Sequence, residues 1–172
     1  MELLMKTYES FIQESSLSRI VDKVKKGGMA TISAERGDKS KKENKQRSKS
    51  LEKDIRGRGM GMTKATGAYN ETDHGEVRER SYIVTPGKKG KRKFKKEVQK
   101  LGKKYDQDSA LIKQKPGLDK KASWLGTSKR PGADPKYGKK EVQGKLSTSD
   151  ANQPLKSGEG GTKIGKKRYQ FK

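Results

Sequence analysis

At 172 residues the chain has room for one domain, yet only 27% of it is hydrophobic and 38% is charged, with a formal net charge of +23. Low apolar content and high net charge offset chain entropy poorly, which argues against one compact globule and for a small core with long solvated segments. The absence of cysteine excludes a disulfide framework, a thiolate nucleophile and a Cys-type zinc site.

From the N-terminus, Leu4, Tyr8, Phe11 and Ile12 fall at i, i+4, i+7 and i+8, the spacing of a short amphipathic helix that docks in a partner groove. No apolar run approaches 18 residues, and the segment has the apolar centre of neither a membrane span nor a secretory signal. The stretch Met5-Lys6-Thr7-Tyr8-Glu9-Ser10-Phe11-Ile12-Gln13-Glu14 resembles the capsid-targeting leader of internal head proteins of T-even-like tailed phages. That resemblance implies entry into the prohead and cleavage by the prohead protease between Glu14 and Ser15, with Ile12, Gln13, Glu14 and Ser15 as the processing residues. Met1 and Met5 both stand as possible starts.

Ser15 to Lys26 continues as a helix with Leu17, Ile20, Val21 and Val24 on one face, capped by Ser16 or Ser18 and stopped by Gly27-Gly28. Met29 to Ala34 reads as a strand and Ser40 to Arg56 as a charged helix with a thin Leu51, Ile55 stripe. Met60 to Tyr69 and Val77 to Thr85 read as two strands around a turn at Asn70 to Glu76. Lys91 to Tyr105 is a second helix with Phe94, Val98, Leu101 and Tyr105 in register, and Ser109 to Lys113 a last strand. The order β-α-β-β-α-β predicts a small ferredoxin-like α+β domain. From Gly126 onward Gly, Pro, Ser and Lys dominate without periodicity, which predicts a disordered basic tail with 12 Lys and Arg against 4 acids. The predicted organisation is a leader at 1–14, an N-terminal helix and Gly linker at 15–28, an α+β domain at 29–125, and the tail at 126–172.

Met29 to Lys113 also resembles a short, functionally uncharacterised domain of bacteria and phages. The resemblance rests on Thr31, Ala34, Asn44, Arg47, Leu51, Ile55 and Gly59, on Glu79-Arg80-Ser81-Tyr82-Ile83-Val84, and on Gly102 with Tyr105 to Ala110. It implies a fold and no activity.

Charge is the main functional signal. Lys88 to Lys104 carries 10 Lys and Arg against the single acid Glu97. Lys91, Arg92, Lys95, Lys96, Lys100, Lys103 and Lys104 on the second helix, with Lys166, Lys167, Arg168 and Tyr169 in the tail, are the candidate nucleic-acid-binding residues. Such binding is electrostatic, salt-sensitive and blind to sequence; charge alone does not choose between DNA and RNA. Arg56 to Gly61 lacks the strand–glycine–helix context of a dinucleotide-binding cradle, and Gly158 to Gly161 before Lys163 lacks the P-loop spacing and its Ser or Thr. The sole histidine, His74, reads as an exposed loop residue. Arg36, Asn44, Arg47, Glu79 and Gln107 form a possible polar cluster at one end of the sheet, with an Arg47–Glu79 pair read as catalytic or structural.

The expected function is a non-enzymatic internal head protein, located in the virion and bound non-specifically to packaged DNA. Its expected partners are nucleic acid, the prohead scaffold and the prohead protease, with no membrane, metal or cofactor. In the host it would occupy the cytoplasm before assembly or after injection. The alternatives are an injected effector that inhibits a host defence enzyme through protein contact, and a host-type nucleic-acid-associated protein.

Overall fold

Ser40 starts the first long helix by a reciprocal cap: its hydroxyl accepts from the Glu43 amide at 3.2 Å, and the Glu43 carboxylate accepts from the Ser40 amide at 2.8 Å. In the computed structural model, which describes residues 19–71, 75–150, 152–156 and 160–171, this helix is α2 (Lys41–Gly57). It follows helical residues 19–26 (α1) and β1 (Met29–Ile32). Then come β2 (Gly61–Glu71), β3 (Gly75–Thr85), α3 (Lys91–Lys104) and β4 (Ser109–Lys113). The chain closes with β5 (Ala122–Gly126), β6 (Lys140–Gly144), β7 (Leu146–Asp150), β8 (Gly160–Ile164) and β9 (Lys167–Phe171).

All nine strands join one sheet in the order β6-β5-β4-β1-β3-β2-β8-β9-β7, with every pairing antiparallel. This overturns the expected small ferredoxin-like domain with a disordered tail. The segment from Gly126 onward supplies four further strands, and β8 extends the sheet by pairing with β2 from Thr66 to Tyr69. These strands are five residues each and carry few apolar side chains, so hydrophobic alternation does not announce them. Backbone pairing and buried polar contacts hold them instead. The Arg168 guanidinium donates to the Gln153 carbonyl at 2.7 Å, the Gln170 amide to the Gly160 carbonyl at 2.6 Å, and the Asn70 amide to the Leu155 carbonyl at 2.7 Å. A satisfied buried hydrogen bond contributes about 1 kcal/mol net, but an unmade one costs more, so these contacts specify the docking.

Strand alternation gives the sheet two faces. On one, Ala30, Ile32, Tyr82, Val84, Ala110, Ile112 and Leu125 pack under α2 and α3 through Leu51, Ile55, Phe94, Val98 and Leu101. Each large buried side chain here stabilises the fold by about 1.5–3 kcal/mol. Gly102 lets the end of β5 reach α3, since a Cβ there would sit 2.5 Å from Thr127. On the other face Val24 of α1 packs with Met29 and Ile83, flanked by Ile20, Ala65, Leu118, Ile164 and Phe171. That face is less completely filled, and it holds the site. The processing residues Ile12, Gln13, Glu14 and Ser15, and His74, lie outside the described residues.

Candidate active site

The register of the sheet places Glu79, Gly67, Thr162 and Tyr169 in one row across β3, β2, β8 and β9. The next row along β2 pairs Val77, Tyr69 and Gly160. Two of these positions are glycine, and each clears room for a neighbouring side chain. A Cβ at Gly67 would come within 3.3 Å of the Glu79 side chain, and one at Gly160 within 2.8 Å of the Tyr69 ring. Glycine inside a strand marks such close approaches.

Above this floor lies a cavity of about 330 Å³, within the range of small-molecule sites. Its walls come from α1 (Ile20, Val24), the β1–β4 region (Thr31, Ser33, Ser109, Leu111), β5 and β6 (Trp124, Gln143) and β8 and β9 (Thr162, Phe171). Glu79 stands in the wall and its pKa is raised to about 7, first by desolvation, then by the negative charge of Glu35, with hydrogen bonding to Ser33 opposing. Tyr69 is 37% exposed, but desolvation of its phenol and then the Glu79 charge push its pKa up as well. Glu35 itself pairs with Arg80 at 3.0 Å. A carboxylate poised near neutrality in a cavity is a candidate for a functional group.

The expected polar cluster divides. Arg36, Asn44, Arg47 and Gln107 meet at the junction of β1, α2 and the α3–β4 turn, where they serve the backbone. The Arg36 amide donates to Asn44 Oδ1 at 3.0 Å, and Arg47 donates to the carbonyls of Ala34 and Tyr105. Gln107 Nε2 donates to the carbonyls of Glu35 and Tyr105, although the residue also borders the cavity. Arg47 is committed to these carbonyls and Glu79 belongs to the cavity wall instead.

The basic residues are dispersed in their roles. Lys91, Arg92, Lys96 and Lys103 are exposed on α3 and Lys95 is half-buried, whereas Lys100 pairs with Glu97 at 3.7 Å and Lys104 with Asp54 at 2.7 Å. Lys166 and Lys167 are exposed, but Arg168 is buried and Tyr169 lines the cavity. The residues that sequence reasoning missed are Gly67, Tyr69, Trp124, Gly160 and Thr162. The in-strand glycines Gly67 and Gly160 are the available signal, and in the sequence Gly160 reads only as part of the Gly-rich tail composition.

The chain matches the model of the S-adenosylmethionine lyase family over residues 30–172. It belongs to the S-adenosylmethionine lyase family. No curated protein matches the chain. Family membership corrects three expectations together: a non-enzymatic protein, a structural head-protein function, and nucleic-acid binding as the defining property. The matched span begins in β1, as the expected uncharacterised domain did, but continues through β9 and so includes the whole region read as tail. Among the described residues no group of three or more His, Cys, Asp or Glu is placed to hold a metal, and no helix is long and apolar enough to cross a membrane.

Proposed function

We propose that the chain cleaves S-adenosylmethionine as a lyase, in the cavity on the α1 side of the sheet. The observation that carries this reading is Glu79: a cavity-wall carboxylate with a pKa near 7 lies inside the span matched to the family. A lyase breaks a bond without adding water. In this substrate the sulfonium is the built-in leaving group. Sulfur keeps the pair of the broken C–S bond and becomes a neutral thioether, and the carbon takes its replacement bond from within the same molecule.

Two intramolecular routes would balance. Elimination requires a base to take a hydrogen from a carbon with no neighbouring carbonyl, and a carboxylate of pKa near 7 is far too weak for that. Ring closure by the substrate's own carboxylate oxygen onto the γ-carbon needs no proton transfer and gives a five-membered lactone. The site then has to fold the substrate into its reactive conformer, a gain of orientation.

Charge decides where Glu79 acts. The sulfonium loses its charge in the transition state, so a carboxylate held against sulfur would favour the ground state. Against the substrate ammonium, whose charge does not change, Glu79 orients the amino-acid chain without that cost. Tyr69 beside it offers an aromatic surface to a cationic ligand. The apolar lining from Val24, Ile83, Ile164 and Phe171 favours departure of a neutral thioether. An effector that works by destroying a small molecule also stands closer to the expected effector alternative than to a genome-bound head protein.

The test is incubation of the purified chain with S-adenosylmethionine in D2O, followed by mass spectrometry. A thioether nucleoside and a lactone without carbon-bound deuterium are expected, and Glu79→Gln should lower kcat/KM by at least about 100-fold. Unchanged substrate with the native protein would refute the reading.

A further inference from the structure

We infer that Trp124 and Gln143 form an adenine-reading subsite at the end of the cavity away from Glu79. This inference rests on the lyase reading for the identity of the ligand.

The first observation is a β-bulge. In the β5–β6 pairing Ala122 opposes Gly144 while Ser123 opposes Val142, so Gln143 is the extra residue with no partner of its own. A bulge re-aims a side chain, and bulges recur beside active sites. Gln143 lines the cavity, as Trp124 does. Val142, one residue earlier, is 62% exposed on the opposite face. Blunting the β6 edge would be reason enough for a bulge, but it would not require a Gln over the cavity.

The second observation is that the Gln143 carboxamide has no hydrogen-bond partner among the described residues. Its carbonyl oxygen can accept from the N6 amino group of adenine while its NH2 donates to N7, a bidentate match. Trp124 supplies the stacking surface beside it, and Leu111 and Leu118 complete an apolar slot. An aromatic ring together with one planar amide is the least equipment that both holds a purine and tells which purine it is.

The third observation is span. Trp124, Leu111, Thr31 and Ile83 form one row across four strands, and Glu79 lies four residues along β3 from Ile83. Three strand spacings of about 4.8 Å and four residues of about 3.3 Å put the backbones of Trp124 and Glu79 about 19 Å apart. A Glu side chain, an extended sulfonium nucleoside and an indole together fill that distance, so the ammonium and the base engage opposite ends of one cavity.

Trp124 is the only tryptophan of the chain, so its fluorescence reports on this subsite alone. The experiment titrates 5′-methylthioadenosine and its 7-deaza analogue into the full chain, by calorimetry and by tryptophan emission. The native protein should bind the parent about tenfold more tightly than the 7-deaza compound, with a change in emission on saturation. Gln143→Ala should bind both alike, at about the native affinity for the 7-deaza compound. Because Gln143 lies on an edge strand, that variant should fold as the native chain does, which circular dichroism checks. Binding of the parent with unchanged tryptophan emission, or a native-like preference for it in Gln143→Ala, would overturn the subsite. If S-adenosylmethionine is cleaved in either of those cases, the lyase reading survives the loss. If the nucleoside binds as expected but S-adenosylmethionine is not cleaved, the subsite stands and the lyase reading falls. If neither nucleoside binds, the subsite falls, and cleavage alone decides the reading.

Discussion

The two faces of the sheet are built from alternate residues of the same strands and differ in how completely they are finished. Under α2 and α3 the two buried tyrosine hydroxyls have partners, Tyr82 donating to Glu52 at 2.9 Å and Tyr105 to Asp54 at 2.6 Å, and the small Ser48 hydroxyl on α2 is the exception. On the cavity side the Tyr169 hydroxyl is buried with no partner among the described residues, and Glu79 sits where ionisation is unfavourable. One face is organised for stability. The other holds groups whose needs a ligand would meet, which is where natural proteins depart from local consistency.

The sharpest way to break this comparison is Phe94→Ala, which empties the centre of the helix-covered face, where Phe94 is fully buried. It should cost about 3–5 kcal/mol in denaturant unfolding, whereas truncations on the cavity face should cost much less. Equal losses on both faces would erase the distinction.

A smaller effect lies in pH. The Glu79 pKa is raised from 4.5 to about 7, so between those values the folded protein holds a proton that the unfolded chain has released. Stability contributed by protonated Glu79 is therefore present below pH 4.5 and lost as pH rises through 7. Relative to the native chain, Glu79→Gln should gain about 1–3 kcal/mol between pH 4.5 and pH 8, read from thermal melts at the two pH values. A pH-independent difference would place the carboxylate in solvent.

The smallest effect concerns Tyr169. Removing an unpartnered buried hydroxyl should leave stability unchanged or raise it by up to about 1 kcal/mol, measured for Tyr169→Phe by chemical denaturation. A clear loss would reveal a partner for the hydroxyl and make the cavity face as finished as the other.

How far these features were legible follows the physics of each. Leu51 and Ile55, and Phe94, Val98 and Leu101, lie at helical spacing because they pack one face, so α2 and α3 could be read directly. Strands β6 to β9 could not. KEVQG, LSTSD, GGTKI and KRYQF carry too few apolar residues to show alternation, and their order comes from pairing with β2 and with one another. Arg168 read as a solvated cation, but it is one of the most buried charged residues in the described structure. Glu79 was singled out beside Arg36, Asn44, Arg47 and Gln107, although pairing register, not proximity in sequence, sets its true neighbours Gly67, Thr162 and Tyr169. The net charge of +23 favours the exposed cations as the signal, whereas the acid with the strongly raised pKa is Glu79.

The pairing of β2 with β8 also has a consequence in time. Asn70 and Leu155, which help to fasten this junction, are separated by 85 residues. During synthesis at about 5–20 residues per second, β1 to β4 and their helices emerge first. The wall bearing Thr162 and Tyr169 arrives several seconds later. A nascent chain thus carries its core before it carries its chemistry, and the cavity opposite Glu79 closes only when residues 160–171 have joined the sheet.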